Sequence, residues 1–232
     1  MGDYFSIQRV TSALPKVAGY LPATLELVAI SLIIGVLMGI LLAYVRMFRV
    51  PVASQIAAVY ISFVRAMPEI VLLFIVYYGV PLLSGAFGVD LSDSQPFAFA
   101  AIAFGINQSA FMGELFCGAL ESIPRGQFEA AYTAGLTVPQ TFLRIIVPQA
   151  VRLVLPELGV MIVGLFKLTA LASAIGVMDV MGRASAIGNA SGHSIEAYCA
   201  AAIVFIIISS MLELAFWLLQ RHGSERKAVI AR

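Results

Sequence analysis

Apolar residues fall in long, nearly unbroken runs along this chain, not in the narrow stripes of a water-soluble domain. Leu27 to Val45 and Ile70 to Val89 contain no charged residue. Ser94 to Gly113 forms a third run, Leu158 to Met178 a fourth interrupted only by Lys167, and Ala197 to Leu219 a fifth with Glu213 near its end. Each run is close to the about 20 residues an α-helix needs to cross a hydrocarbon core about 30 Å thick. The pattern predicts an all-α, polytopic transmembrane protein with about five spans. The second span is expected to begin nearer Ala57, and Gly79 with Pro81 predicts a break or kink within it. Gly35 and Gly39 form a small-xxx-small pair in the first span, which predicts close helix packing. Before the first span, Phe5, Ile7, Val10, Leu14 and Val17 suit a short interfacial helix.

One polar stretch, Glu121 to Arg152, is too polar to span and too well punctuated to be an idle connector. Ser122-Ile123-Pro124 resembles a helix start, with proline tolerated in the first turn. Gln127 to Ala134 reads as a short helix stopped by Gly135. Thr137-Val138-Pro139-Gln140 is a capping box opening a second helix. Pro148 and Pro156 are expected to break the chain before the fourth span begins. The prediction is two short helices joined by a tight turn at the membrane surface.

Composition agrees with this pattern: 61% of the 232 residues are hydrophobic and 12% charged, against about 25% charged in an ordinary soluble domain. Lipid, not water, must wet most of the surface. The net charge of +1 points to no nucleic-acid partner. Cys117 and Cys199 lie in apolar stretches, which argues against a structural disulfide. No cleavable signal peptide is evident, so the first apolar run is expected to remain as a span. His193 and His222 are too far apart to suggest a metal site. With an odd number of spans, one side receives Arg46, Arg49, Arg125, Arg144, Arg152, Arg221, Arg226, Lys227 and Arg232, and the other receives Arg9, Lys16 and Arg183. Nine against three places the C-terminus in the cytoplasm. The expected organisation is an extracytoplasmic segment over 1–22, a transmembrane domain over 23–220 with a cytoplasmic loop at 121–152, and a cytoplasmic tail over 221–232. The loops around Asp90–Asp93 and Arg183–Glu196 then face outward, and Trp217 anchors the cytoplasmic interface.

Arg65, Glu114, Lys167 and Glu213 lie at or within the predicted spans. A charge near the bilayer centre costs about 2.5–3.5 kcal/mol on insertion scales, so these side chains should face protein or a water-filled path. A free amino acid needs a cation for its carboxylate and acceptors for its ammonium. Arg65 or Lys167 suits the first role; Asn107, Glu114, Thr169 and Ser173 suit the second. Two plainer readings stand beside this one. Arg65 can snorkel to the cytoplasmic surface and pair with Glu69 one turn away. Asn107, Gln108 and Ser109 can serve only helix–helix hydrogen bonds. Glu213, nearest the polar end of its helix, suits a structural role.

Glu129-Ala130-Ala131-Tyr132-Thr133-Ala134-Gly135, followed by Ile145-Ile146-Val147-Pro148, resembles the EAA loop of ABC importer permeases. Ser122-Ile123-Pro124-Arg125-Gly126-Gln127 and Pro148-Gln149-Ala150 look like the polar-amino-acid branch of that family. So do Phe63-Val64-Arg65-Ala66-Met67-Pro68, Gly19 with Thr24-Leu25, and Lys167-Leu168-Thr169-Ala170-Leu171. The ordered set, not any single motif, carries the resemblance. It implies a non-catalytic permease subunit of an ATP-driven importer for a polar solute, most simply an amino acid. It also implies that the helix with Glu129, Ala130, Ala131 and Gly135 docks into a separate ABC ATPase. Further implied partners are a second permease subunit, identical or paralogous, and an extracytoplasmic solute-binding protein, all in a bacterial inner or plasma membrane. No cofactor is expected in this chain; ATP and Mg belong to the ATPase. The chain departs from the family at Cys117, where many members carry Arg, and at Leu168, where a polar or acidic residue is frequent. Ala66-Met67 replaces Gly-Thr and Ala170 replaces Ser. These changes make the path more apolar and a cationic amino acid a poorer substrate.

The chain has no GxxxxGK[ST] loop to bind ATP itself. Five spans are too few to enclose a path alone, which argues for pairing about a two-fold axis. A self-sufficient secondary transporter or channel is the alternative, but no inverted repeat is visible. No HExxH or GxSxG motif supports a membrane enzyme.

Overall fold

A computed structural model describes residues 5–91 and 94–230, with side chains described as far as Arg221. Ser92 and Asp93 of the expected outward loop and the side chains of the C-terminal tail therefore lie outside the described residues. The described chain is helical, without strands. The elements are α1 (Ile7–Ala18), α2 (Leu21–Met47), α3 (Ala53–Ala66), α4 (Glu69–Ala86), α5 (Pro96–Glu121), α6 (Arg125–Thr133), α7 (Val138–Thr141), α8 (Val147–Leu168), α9 (Val180–Ser191) and α10 (Ser194–Ile230). A π-helical turn, Phe142–Ile146, joins α7 to α8, and a 3₁₀ segment, Thr169–Ile175, comes after α8.

Among the described residues, four stretches are long and apolar enough to cross a membrane: Leu21–Met47, Glu69–Ala86, Val138–Ile175 and Ser194–Arg221. The fifth expected crossing, α5, is outside this set, because Asn107-Gln108-Ser109 dilutes its apolar run. It is nonetheless the innermost helix, with buried residues from Phe99 to Ala119. It runs parallel to α2: Ser31 Oγ donates to the Ala101 carbonyl at 3.3 Å, and Arg46 reaches Glu114 near the far end of the same pair. A helix surrounded by other helices needs no lipid-compatible surface, so hydropathy undercounts it.

Glycine sets the closeness of α2 and α5. A Cβ on Gly35 would lie 2.6 Å from Gln108 Cβ, and one on Gly39 would lie 2.8 Å from Met112 Cβ. The two helices therefore approach to a distance that alanine would not allow. Around this pair, Leu27, Leu73, Phe104, Leu165 and Phe166 form the main core. The outer faces stay apolar, as lipid contact requires: Leu37 on α2, Phe63 on α3, Leu82 on α4 and Ile206 on α10 are all more than half exposed.

Several expectations are corrected. The second span does not extend back to Ala57; the chain breaks at Met67-Pro68. Met67 is extended (φ −88°, ψ 134°), as the residue before a proline prefers, so α3 and α4 are separate helices. Gly79 and Pro81 produce no interruption, and α4 runs through both. Pro148 and Pro156 do not break the chain before the fourth span: Val138–Ile175 is one helical stretch of 38 residues. Pro148 sits in the first turn of α8, directly after the π-helical turn. There the wider hydrogen-bond spacing makes room for a ring that would clash with an ordinary preceding turn.

The N-terminal helix forms as expected, but its apolar face meets protein. Val10, Ala13 and Val17 pack with Val180 and Ala184 of α9 and Ala197, Ala200 and Val204 of α10. Arg9 Nη1 donates to Glu196 Oε1 at 3.3 Å and lies 3.2 Å from His193 Nδ1, fastening α1 to the start of α10. Cys117 and Cys199 are both free thiols.

Candidate functional site

Two groups of residues bear on function, one on the polar stretch after α5 and one inside the bundle. On the first, α6 begins at Arg125, two residues before the sequence reading, with Pro124 at its N-cap. Glu129 and Ala130 are exposed, whereas Ala131 is 2% exposed and faces inward. The helix ends as the sequence requires. Gly135 has φ +80°, a left-handed backbone that glycine alone adopts without strain. Its N–H donates to the Tyr132 carbonyl at 3.0 Å, and the Leu136 N–H donates to the Ala131 carbonyl at 3.1 Å. This double closure satisfies the last carbonyls and fixes the exit direction. Thr137 N–H then donates to Gln140 Oε1 at 3.0 Å in the capping box that opens α7. The helix with Glu129 is thus joined by a rigid turn to a single helix that enters the membrane.

Within the bundle, the predicted path residues separate into distinct places. Arg65 and Glu114 come together, with Nη1 to Oε2 at 3.8 Å, and the Arg65 guanidinium stacks over Phe111 at 5.5 Å from the ring centroid. Arg65 therefore turns to α5 rather than to Glu69. Arg46, assigned by sequence to a cytoplasmic loop, also reaches Glu114 Oε2, at 2.6 Å. Glu114 Oε2 is thus held closely by Arg46 and more loosely by Arg65, both contacts being to the same oxygen.

Lys167 lies elsewhere, 3.4 Å from Glu213 Oε1, in a groove lined by Pro156, Gly164 and Trp217. Both members of this pair are more than half exposed, so Glu213 is the partner of Lys167. Trp217 itself stacks with Arg221 at 5.4 Å.

Thr169 and Ser173 turn their hydroxyls onto their own helical segment, donating to the carbonyls of Phe166 at 2.7 Å and Ala170 at 2.8 Å. Thr169 is fully buried. Asn107 is 3% exposed and accepts from Gln108 Nε2 at 3.4 Å, leaving Asn107 Nδ2 and Gln108 Oε1 without partners. Ser109 pairs with the Tyr60 hydroxyl at 2.7 Å. Of these bonds, the Ser109–Tyr60 pair joins two helices and the others close within one helical segment.

Sequence reasoning missed Glu157. This carboxylate is exposed on α8 and lines a cavity of about 360 Å³ with Arg65, Phe111, Glu114 and Leu153. The sequence did not mark it, because Pro148 and Pro156 read as breaks ahead of a span starting at Leu158, which left Glu157 in a connector. Among the described residues, His/Cys/Asp/Glu side chains form no cluster of three suited to a metal ion.

The fold and these motifs have counterparts among known proteins. The L-cystine transport system permease protein TcyL of Bacillus subtilis (strain 168) is 38% identical over 216 residues, covering 93% of this chain and 90% of that protein. The probable amino-acid permease protein YxeN of the same organism is 33% identical over 214 residues, covering 92% of this chain and 94% of that protein. A crystal structure of an amino acid ABC transporter with histidines superposes with a TM-score of 0.81 at 27% identity, covering 96% of this chain and 99% of that one. Residues 35–224 match the binding-protein-dependent transport system inner membrane component family. With its stacked spans and its glycine-closed helix after α5, the chain belongs to that family: it is a multi-pass inner-membrane component of an ABC-type importer.

Proposed function

We propose that this chain carries an amino acid across the membrane and couples that passage to ATP hydrolysis in separate ATPase subunits, which bind ATP and Mg. One observation carries the coupling. The α6 helix presents Glu129 and Ala130 outward, while its glycine turn leads directly into the 38-residue stretch Val138–Ile175. Motion applied to α6 is thereby delivered to the membrane interior by a stiff element, as a bias between two global states. A loop of ordinary flexibility would dissipate it.

The TcyL relative is named for L-cystine and the YxeN relative for an amino acid, and this supports the substrate class. The proposed partners are an extracytoplasmic solute-binding protein and a second permease subunit. The pairing subunit would cover the charged outer face of α8, which lipid would not tolerate. The N-terminus is placed outside and the C-terminus in the cytoplasm. The excess of Lys and Arg on the side of the C-terminus, nine against three, supports this.

The test combines topology with assembly. Ala130→Cys should react with a membrane-impermeant thiol reagent only from the cytoplasmic side, in a background where Cys117 and Cys199 are replaced. Affinity purification of the chain from its native membrane should bring a P-loop ATPase with it. Labelling of Ala130→Cys only from outside would overturn both orientation and coupling.

A further inference from the structure

The end of the bundle nearest α6 carries a groove that neither the Arg65–Glu114 cavity nor the α6 lever uses. Phe116 and Leu120 of α5 form its floor, Tyr44 and Met47 of α2 one wall, and Val151 and Val154 of α8 the other. No charged side chain lines it, and its volume is about 360 Å³, within the about 300–1,000 Å³ of small-ligand sites. Phe116 lies two residues beyond Glu114, and Leu120 two beyond Gly118, which places the groove and the Arg65–Glu114 cavity on opposite sides of α5. At its inner end Ile40 is continuous with Leu37 and Leu41, exposed on the lipid-facing surface of α2. Two features select the occupant, and the first is length. On α8 the lining runs from Val147 to Leu158, about 16 Å at about 1.5 Å per residue. That matches one leaflet, half of a hydrocarbon core about 30 Å thick. The second feature is charge at the mouth, which Met47 and Phe142 mark. Phe48, next after Met47, meets the Tyr44 ring at 4.6 Å and the Phe142 ring at 6.0 Å. Arg49 follows on one side, and Arg144 lies two residues beyond Phe142 on the other. Both arginines are exposed, and among the described residues neither pairs with a carboxylate.

We propose that this groove binds one acyl chain of an anionic phospholipid, with Arg49 and Arg144 taking the phosphate of its headgroup. The chain lies along Phe116 and Leu120 between α2 and α8 and ends near Ile40 and Leu158, at the bilayer midplane. A second permease subunit fits this face poorly, because the ionisable groups that lipid would reject lie elsewhere on α8, at Glu157 and Lys167. A phospholipid accounts both for the unbroken apolar lining and for cations at one end only. Phe142 belongs to the π-helical turn that joins α7 to α8, so the bound chain fills the space beside the joint through which α6 acts on α8. The choice of the cytoplasmic leaflet rests on the orientation proposed above; the lipid site itself does not.

The test uses the purified importer complex in phosphatidylcholine nanodiscs doped with a phosphatidylglycerol whose acyl chain carries a diazirine near its middle. After illumination, peptide mapping should place most adducts on Phe116, Val151 and Val154. Leu82 of α4 and Ile206 of α10 serve as reference positions on the ordinary lipid-facing surface. Unlabelled phosphatidylglycerol should compete about tenfold or more better than phosphatidylcholine, since each arginine contributes about fivefold. Arg49→Gln combined with Arg144→Gln should reduce that preference to about twofold or less while adducts stay in the groove. Val151→Trp, at an exposed position on the groove wall, should remove most groove adducts and leave those at Leu82 unchanged. Adducts spread evenly over Val151, Leu82 and Ile206 overturn the site, as does a preference for phosphatidylglycerol that survives the double substitution. A groove labelled in the isolated chain but shielded in the complex overturns it too, because a partner protein would then fill it. The wild-type map decides the question even where a variant fails to assemble. Groove adducts in a protein whose Ala130→Cys reacts only from outside would support the lipid site and sink the orientation alone.

Discussion

The α2–α5 contact and the outer face of α8 use glycine in opposite ways. A Cβ on Gly35 or Gly39 would lie within 3 Å of Gln108 or Met112, respectively. Gly164 on α8 has no atom within 4 Å of its Cβ position, and it shares a groove with Lys167 and Glu213. Lower in the same groove, a Cβ on Gly159 would lie 2.8 Å from Phe216 Cγ. The groove between α8 and α10 is thus closed at Gly159 and open at Gly164. The closed contacts form a scaffold that cannot deform without strain. The open face holds ionisable groups that lipid would not accept, and so belongs to a water-filled path or to another subunit.

The strongest challenge to this contrast is Gly35→Leu. Forcing a large side chain against Gln108 should cost about 3 kcal/mol or prevent assembly, visible as loss of monodisperse protein in detergent. A normally folded Gly35→Leu chain would show that α2 and α5 are not packed closely. Next is Gly135→Val, which tests the lever rather than the scaffold. Holding valine at a left-handed φ costs about 1–2 kcal/mol, enough to shift a two-state bias about tenfold. Substrate-stimulated transport should fall by about that factor while the amount of protein in the membrane is unchanged.

Smaller in effect, but more informative about the open face, is a double-mutant cycle on Lys167→Met and Glu213→Leu. A water-lined pair should show coupling of about 0.2–1 kcal/mol in thermal unfolding. Coupling of about 3 kcal/mol or more would mean that a partner subunit encloses the pair. The smallest effect belongs to Gly164→Ala, expected to change stability by no more than about 0.5 kcal/mol. Set beside Gly35→Ala, it measures the difference between the two faces with one methyl group. Equal costs at the two positions would erase the distinction.

Glu157 shows why part of the site was illegible. Hydropathy placed the fourth span at Leu158, so the preceding carboxylate fell into a loop and was not weighed as an intramembrane charge. Its cavity partner, Arg65, lies on a different helix, and no local pattern links the two. Arg46 was hidden in the same way, since its role depends on α2 and α5 running side by side. The glycine-closed helix, by contrast, was legible almost residue by residue. Gly135, Thr137 and Gln140 act through backbone groups a few positions away, and such contacts are written into local spacing.

The sequence alone determined the membrane class, the five long apolar runs, the small-residue face of α2 and the turn chemistry after α6, because each depends on composition or on neighbours within a few residues. Tertiary structure decided that a polar-centred helix lies innermost, that the chain breaks at Pro68 but not at Pro148, and that Glu114 is already paired while Glu157 is not. These outcomes depend on which distant helices meet. Burial and charge pairing are properties of the packed bundle, and a linear pattern does not contain them.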